Sequence, residues 1–312
     1  MDVIEYKYGD TPSLGASVMA LGFFDGVHVG HRELLLTARN KAERASLPLT
    51  VFTFKDNRDI KKDATRIYGE GAKLELMRRL GVDTVILADF STLSGISAEK
   101  FVKEVLVSTL GARAAVAGYN FRFGKGALGD SALLSALAEE CGITAVICDE
   151  VRHEGRAVSS TVIRKLLAEK KIPEANALLG APYFISGKVM HGNGVGRGLG
   201  FPTVNTDIEP TSVVLPSGVY RTAVPYNRRI YSALTNVGVC PTFEERPIHA
   251  ETFILDFDGD LYGEELSIYF LDFLREEKAF SSVESLKMQI LVDKNKVISE
   301  NGDITWQELG LN

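Results

Sequence analysis

Gly22-Phe-Phe-Asp-Gly-Val-His-Val-Gly-His31 closes an apolar run, turns on glycine, and sets two histidines three residues apart where an amphipathic segment begins. Ala16–Phe24 is short and apolar, as expected of a buried parallel strand. Glu33–Ala45 carries Leu34, Leu35, Ala38 and Ala42 at helical spacing. A strand, a glycine turn and a helix in that order open a parallel α/β sheet, and such sheets bind ligands at the carboxyl ends of their strands. Residues three apart share a helix face, and the first turn has free N–H groups with partial positive charge. His28 and His31 can therefore converge on one anion, such as a nucleotide phosphate, and Gly30 lets it approach the backbone. Four residues recur by chance, and histidines at a helix start often only cap it, so the surroundings carry the reading. Zinc is not expected here, because Cys141, Cys148 and Cys240 form no pair at ligand spacing.

Outward from this stretch, 312 residues exceed the size at which one core usually keeps growing, so two domains are expected. The composition, 45% hydrophobic and 24% charged, is that of an ordinary globular protein. A net charge of −6 argues against a nucleic-acid partner, which calls for a basic face. Neither a membrane-spanning run nor a signal-like amino terminus is read, and three cysteines without framework spacing fit a reducing compartment. The expectation is a cytoplasmic protein acting on small molecules, without membrane or nucleic acid, and with self-association left open.

The pattern changes near residue 180. Before it, strand-like runs (Leu49–Phe54, Thr84–Ala88, Ala114–Ala117, Thr144–Cys148) alternate with helical ones (Gly71–Leu80, Ala98–Thr109, Asp130–Glu140), as in a parallel sheet built of crossover units. After it come Phe184–Met190, Gly218–Pro225, Ile230–Val237, Ala250–Asp256 and Leu266–Phe273, which read as an antiparallel barrel or sandwich. Ser281–Val297 is amphipathic and is expected to pack on it. The division is placed at Gly180–Pro182, giving domains 1–180 and 181–312.

A second candidate anion site is Ser159-Ser160-Thr161 with Arg164, ahead of a helix expected over Val162–Lys171. Hydroxyls there can cap the helix or donate to an anion, and a guanidinium adds a charge-assisted fork. Capping alone explains an isolated Ser-Ser-Thr equally well.

Together, Gly22–His31 and Ser159–Arg164 resemble the adenylyltransferase half of the bifunctional bacterial riboflavin kinase/FAD synthetases. Gly118-Tyr-Asn-Phe-Arg-Phe-Gly124 is similar to that family's flavin-side loop. His191-Gly-Asn-Gly-Val-Gly-Arg-Gly-Leu-Gly-Phe-Pro-Thr-Val-Asn205 resembles its kinase signature, as do Asn236–Phe243, Glu251–Phe257, Asp260–Gly263 and Leu274–Phe280. The resemblance implies a Rossmann-like nucleotidyltransferase domain followed by an antiparallel Greek-key β-barrel of the riboflavin kinase type, with a C-terminal helix. It implies a transferase of FAD biosynthesis that phosphorylates riboflavin to FMN and adenylylates FMN to FAD, using ATP and Mg²⁺.

Gly192, Gly194, Gly196 and Gly198 make a loop of little bulk whose amides can close over phosphates, with Arg197 adding charge. A flexible hairpin tip would look the same. Thr203 and Asn205 share one strand face and offer oxygen ligands suited to Mg²⁺. From the resemblance, Glu251 is the base for the riboflavin 5′-hydroxyl, and Asn236 and Arg275 frame the flavin. In the first half, Gly22, Phe24, Asp25 and Gly30 form the nucleotide turn, His28 and His31 stabilise phosphate charge, and Ser159, Ser160, Thr161 and Arg164 hold the leaving group. Asn120 lies near the flavin phosphate. Phe23 and the Lys55–Gly71 segment depart from the family pattern, so a kinase with a weak first half, and a non-catalytic flavin or nucleotide regulator, remain alternatives.

Overall fold

Runs of small and β-branched apolar residues build a six-stranded, all-parallel sheet in the first half: β1 Asp2–Tyr6, β2 Ser17–Leu21, β3 Leu49–Phe54, β4 Thr84–Ala88, β5 Ala112–Gly118 and β6 Thr144–Cys148. The computed structural model describes residues 1–55, 66–190, 200–206, 213, 215–238, 249–299 and 304–311. Strand β1 was not read from the sequence. Every residue of β2 is buried, as a central parallel strand covered on both faces requires. Helices α1 (Val29–Ala45), α2 (Glu70–Arg79) and α3 (Ser131–Glu140) supply cover, with α3 capped by Asp130 onto Leu133 N. The helix expected over Ala98–Thr109 is a short α-turn, Ala98–Lys100, running into a π-type segment, Phe101–Thr109.

The strand order is β1-β4-β3-β2-β5-β6. From β2 the chain steps to β3 and β4 on one side, then crosses to β5 on the other. The crevice beyond the ends of β2 and β5 is therefore the topological switch point, where open α/β sheets take ligands. The strand expected over Ala16–Phe24 ends at Leu21, because the backbone leaves the extended region, with φ of 53° at Phe24. A two-strand ribbon, β7 (Arg152–His153) with β8 (Arg156–Ala157), follows β6.

In the second half, β9 (Phe184–Met190), β10 (Thr203–Thr206), β11 (Gly218–Tyr226), β12 (Arg229–Gly238), β13 (His249–Ile254) and β14 (Glu265–Arg275) close in the order β10-β13-β12-β11-β14-β9. The strand pattern left barrel and sandwich open, and the Greek-key barrel that the family resemblance implied is the one that forms. Closure comes from β9 pairing with β10, Val189 opposite Thr206 and Met190 opposite Asn205. Strands β11, β12 and β13 are successive hairpin neighbours and β14 returns beside β11, which is the Greek key. Asn227 and Arg228, both at positive φ, make the two-residue turn joining β11 to β12. A buried hydroxyl chain, Thr222 to Thr235 (2.8 Å) to Thr252 (2.9 Å), ties three strands from inside. Alternation along β13 then turns Glu251 to the opposite face from Thr252.

By contacts the chain divides into Met1–Ala64 with Glu70–Ser159, and Thr65–Gly69 with Ser160–Asn312. The period change at Gly180–Pro182 and this division differ by helices α4 (Ser160–Ala168) and α5 (Ile172–Leu179). Asn176 in α5 donates to Phe270 O (2.8 Å) and accepts from Tyr183 N (2.7 Å), so these helices pack with the barrel although they carry helical periodicity. Helix α6 (Val283–Ser299) packs on the barrel through Val297, which joins a core cluster with Val219, Leu234 and Leu255.

Candidate active sites

The turn between β2 and α1 holds three left-handed residues, Phe24, Gly26 and Val27, with φ of 53°, 85° and 40°. Such a conformation at a β-branched valine costs on the order of 1–3 kcal/mol and is kept where a site is shaped. Gly22 has no side chain because a Cβ there would lie 3.1 Å from the Phe24 ring. Phe24 itself is fully buried, so its side chain shapes the turn. Asp25 is buried beside it.

His28 caps α1: its Nδ1 accepts from His31 N at 3.3 Å. A neutral ring accepting at Nδ1 carries its hydrogen on Nε2, leaving that N–H to donate. The two imidazoles stack, centroids 3.7 Å apart and 14° between planes. Burial pushes His28 down to about 4, and burial together with the neighbouring His28 ring pushes His31 well below the usual histidine value. Both rings are therefore neutral donors at pH 7. His31 Nδ1 is buried with no hydrogen-bond partner among the described residues. A Cβ on Gly30 would sit 3.3 Å from the His28 ring, so this glycine makes room for the cap as well as for an approaching anion.

An aromatic cavity of about 360 Å³ opens beside the turn, lined by Phe23, Phe52, Phe54, Phe90, Phe121 and Phe123 among others. Phe54 makes edge contacts with Phe52 (5.8 Å) and Phe90 (5.2 Å) and a tilted contact with Phe23 (5.0 Å). These rings come from the ends of β2, β3 and β4 and the loop after β5. Sequence reasoning did not find this cavity as a set, since its members are spread over about 100 positions. The local signal was Phe52-Thr-Phe54 and Phe121-Arg-Phe123, each pair alternating onto one side. Asn120 is exposed just before that loop, its Oδ1 3.3 Å from where a Gly118 Cβ would be. Ser159 ends the first unit, while Ser160, Thr161 and Arg164 belong to the second. The helix starts at Ser160, two residues before the expected Val162, so Ser160 and Thr161 form its first turn and Arg164 Nη2 donates to Thr161 Oγ1 (3.4 Å).

In the barrel, Thr203 Oγ1 donates to Glu251 Oε1 at 2.6 Å, and strand register sets Asn205 and Asn236 on either side of Glu251. Thr203, Asn236 and Glu251 line a cavity of about 540 Å³ whose far wall includes Leu286, Ile290 and Asp293 of α6. Asn236 Nδ2 donates to Glu277 Oε1 (3.1 Å), and its Oδ1 is buried with no partner among the described residues. Arg275 also lines the cavity, but its guanidinium is taken by Asp293, Nε and Nη2 reaching Oδ2 at 2.9 and 2.8 Å, with Gln289 donating to Asp293 Oδ1 (2.9 Å). Asp293, Glu277 and the α6 residues were not foreseen, because nothing local in a helix marks which face meets a cavity. A second cavity of about 440 Å³, lined by Thr203, Val204, Phe257, Asp260 and Tyr262, shares Thr203 with the first. Gly192, Gly194, Gly196, Arg197 and Gly198 lie outside the described residues.

Among the described residues no helix is long and apolar enough to cross a membrane. The FAD synthetase family model matches residues 10–162, and the riboflavin kinase model matches residues 179–299. The chain is 34% identical over 293 residues to the bifunctional riboflavin kinase/FMN adenylyltransferase of Bacillus subtilis (strain 168), covering 90% of this chain and 92% of that one. It is 34% identical to the protein of that name from Pseudomonas fluorescens, covering 94% and 96%. Among solved structures, a macrolide-efflux protein from Streptococcus pneumoniae superposes with a TM-score of 0.86 at 30% identity, over 96% of this chain and all of that one.

Proposed function

Since the chain belongs to the bifunctional riboflavin kinase/FMN adenylyltransferase family, we propose that the barrel makes FMN from riboflavin and the parallel-sheet half converts FMN to FAD. The observation that carries this reading is that each half holds its own reactive constellation beside its own cavity: stacked neutral histidines in one, a hydroxyl-bonded glutamate in the other.

In the barrel, the flavin ring occupies the larger cavity and ATP the smaller, with Thr203 and Glu251 where the two meet. Glu251 takes the proton of the riboflavin 5′-hydroxyl as that oxygen attacks the γ-phosphorus, and ADP leaves. A positioned base supplies about 10²- to 10⁴-fold. Thr203 holds one Glu251 oxygen and so fixes the carboxylate's orientation. Thr203 and Asn205 are hard oxygen donors beside that carboxylate and fit Mg²⁺, which usually takes one or two protein oxygens and completes its shell with phosphates and water. When bound, Mg²⁺ neutralises phosphate charge. Arg275, held by Asp293, orients the α6 wall toward the flavin.

In the first half, an FMN phosphate oxygen attacks the α-phosphorus of ATP, and pyrophosphate leaves without a covalent enzyme intermediate. His28 Nε2–H and His31 donate to oxygens on which charge grows, and because the rings are buried and prearranged the donation needs little reorganisation. The phenylalanine cavity takes the isoalloxazine ring, with Asn120 near the phosphate; Ser159, Ser160, Thr161 and Arg164 hold the departing pyrophosphate. Gly192–Gly198 with Arg197 are assigned to the kinase phosphate loop by the family pattern. Residues 1–180 and 181–312 are the two functional domains, acting in the cytoplasm.

The test is to incubate the purified chain with riboflavin, ATP and Mg²⁺, and in parallel with FMN, ATP and Mg²⁺, and to separate the flavins by chromatography over time. FMN and FAD from the first mixture and FAD from the second are expected; FMN without FAD would reduce the reading to a kinase.

A further inference from the structure

Residues 66–69 precede α2 of the first half, yet they belong to the barrel's unit. Their attachment is built from several contacts. Val213 N donates to Arg66 O, and the Tyr183 hydroxyl donates to Val213 O at 2.7 Å. Ile67 is fully buried and Tyr68 is 5% exposed. The Tyr68 ring stacks on Tyr183, 5.4 Å away and 16° between planes, and lies 4.8 Å from Phe184. Phe184 in turn stacks on Tyr269 at 5.1 Å. Tyr68 thus completes an aromatic layer at the start of β9.

Strand β9 reaches both walls of the smaller barrel cavity. On one side Val189 and Met190 pair with Thr206 and Asn205 of β10, the strand that brings Thr203 and Val204 to the cavity. On the other, Val189 N donates to Glu264 O (2.9 Å) and Gly263 N donates to Val189 O (3.0 Å), fixing the chain that leaves Asp260–Tyr262. None of β9 lines the larger cavity.

We propose that residues 66–69 are a strap of the kinase unit and that Tyr68 is a positioning residue for the nucleotide side of FMN formation, acting through β9. The proposal rests on the assignment of the smaller cavity to ATP. It gives the Arg66–Gly69 part of the departure from the family pattern a role in the kinase, where the chain order would place it in the adenylyltransferase.

The experiment uses the full-length parent, Tyr68→Leu, which keeps an apolar side chain without the ring, and Tyr68→Phe, which keeps the ring. In FMN formation, Tyr68→Leu is expected to raise KM for ATP about tenfold with KM for riboflavin unchanged, and Tyr68→Phe to restore it. FAD formation from FMN is expected to stay at the parent rate in both. An unchanged KM for ATP, or a uniform loss of every constant in step with the folded fraction, overturns the proposal. If the parent makes no FMN, the kinase reading fails independently, and hydrogen exchange decides the strap: faster exchange over residues 184–190 in Tyr68→Leu supports it, and unchanged exchange overturns it.

Discussion

The two halves set electrostatically opposite groups beside their cavities. In the sheet half, the proposed donors are two imidazoles kept uncharged by burial, stacked 3.7 Å apart at the start of a helix. In the barrel, the proposed base is Glu251 on a strand face that lines a cavity, held at 2.6 Å by a hydroxyl. A buried donor pair stabilises charge that develops on the substrate, whereas a carboxylate removes a proton from it. The difference follows from topology. Parallel strands converge on a helix terminus that offers donors, while a barrel wall displays side chains in register and can set a base beside oxygen ligands.

Glu251→Gln separates the halves most sharply. It keeps the shape but removes the base, so FMN formation is expected to fall by about 10²- to 10⁴-fold, with riboflavin binding by fluorescence titration and FAD formation from FMN unchanged; turnover persisting near the parent rate would end the assignment. His31→Ala is its mirror image: a loss of about 10²- to 10³-fold in FAD formation, read by chromatography of reactions started from FMN, with FMN formation intact.

Acid should also distinguish them. Burial lowers the His28 pKa to about 4 in the fold, against about 6.5 in the unfolded chain. Between those values the unfolded chain binds more protons, so the contribution to stability is complete above pH 6.5 and is lost as the pH falls towards 4. The loss is about 3 kcal/mol for His28, and His31 adds in the same direction. Urea unfolding of the full chain from pH 7 to pH 4, followed by exchange over residues 17–45, should show the sheet half weakening. A His28→Gln chain should lose the His28 share of this pH dependence and keep the part that His31 contributes.

Two smaller effects sharpen the picture. Phe54→Ala removes a ring touching three others in the aromatic cavity, and KM for FMN in FAD formation should rise about tenfold, while KM for riboflavin holds. Gly30→Ala puts a methyl 3.3 Å from the His28 ring; a few-fold slower FAD formation is expected, about 1 kcal/mol of strain, and an unchanged rate would show that the turn yields freely.

Much of this was legible locally. The His-x-Gly-His turn, the alternation of strands with helices before residue 180 and the strand-dense pattern after it depend on neighbours a few positions apart. Glu251 and Thr203 could be singled out, but their 2.6 Å contact spans 48 positions of chain and depends on the pairing of β10 with β13. The helix start at Ser160 was misplaced because three hydroxyl residues can either precede a helix or form its first turn.

By itself the sequence determined the two-part architecture, the periodicity of each half and the residue types able to do the chemistry, because these are set by short-range backbone preference and by which faces must be buried. Only the tertiary structure decided that β9 closes the barrel on β10, that seven phenylalanines share one cavity, that both histidines are neutral, and that Tyr68 packs with the kinase unit. Each of these is a property of groups distant in the chain: strand closure, cavity lining and desolvation exist only after long-range burial has brought them together.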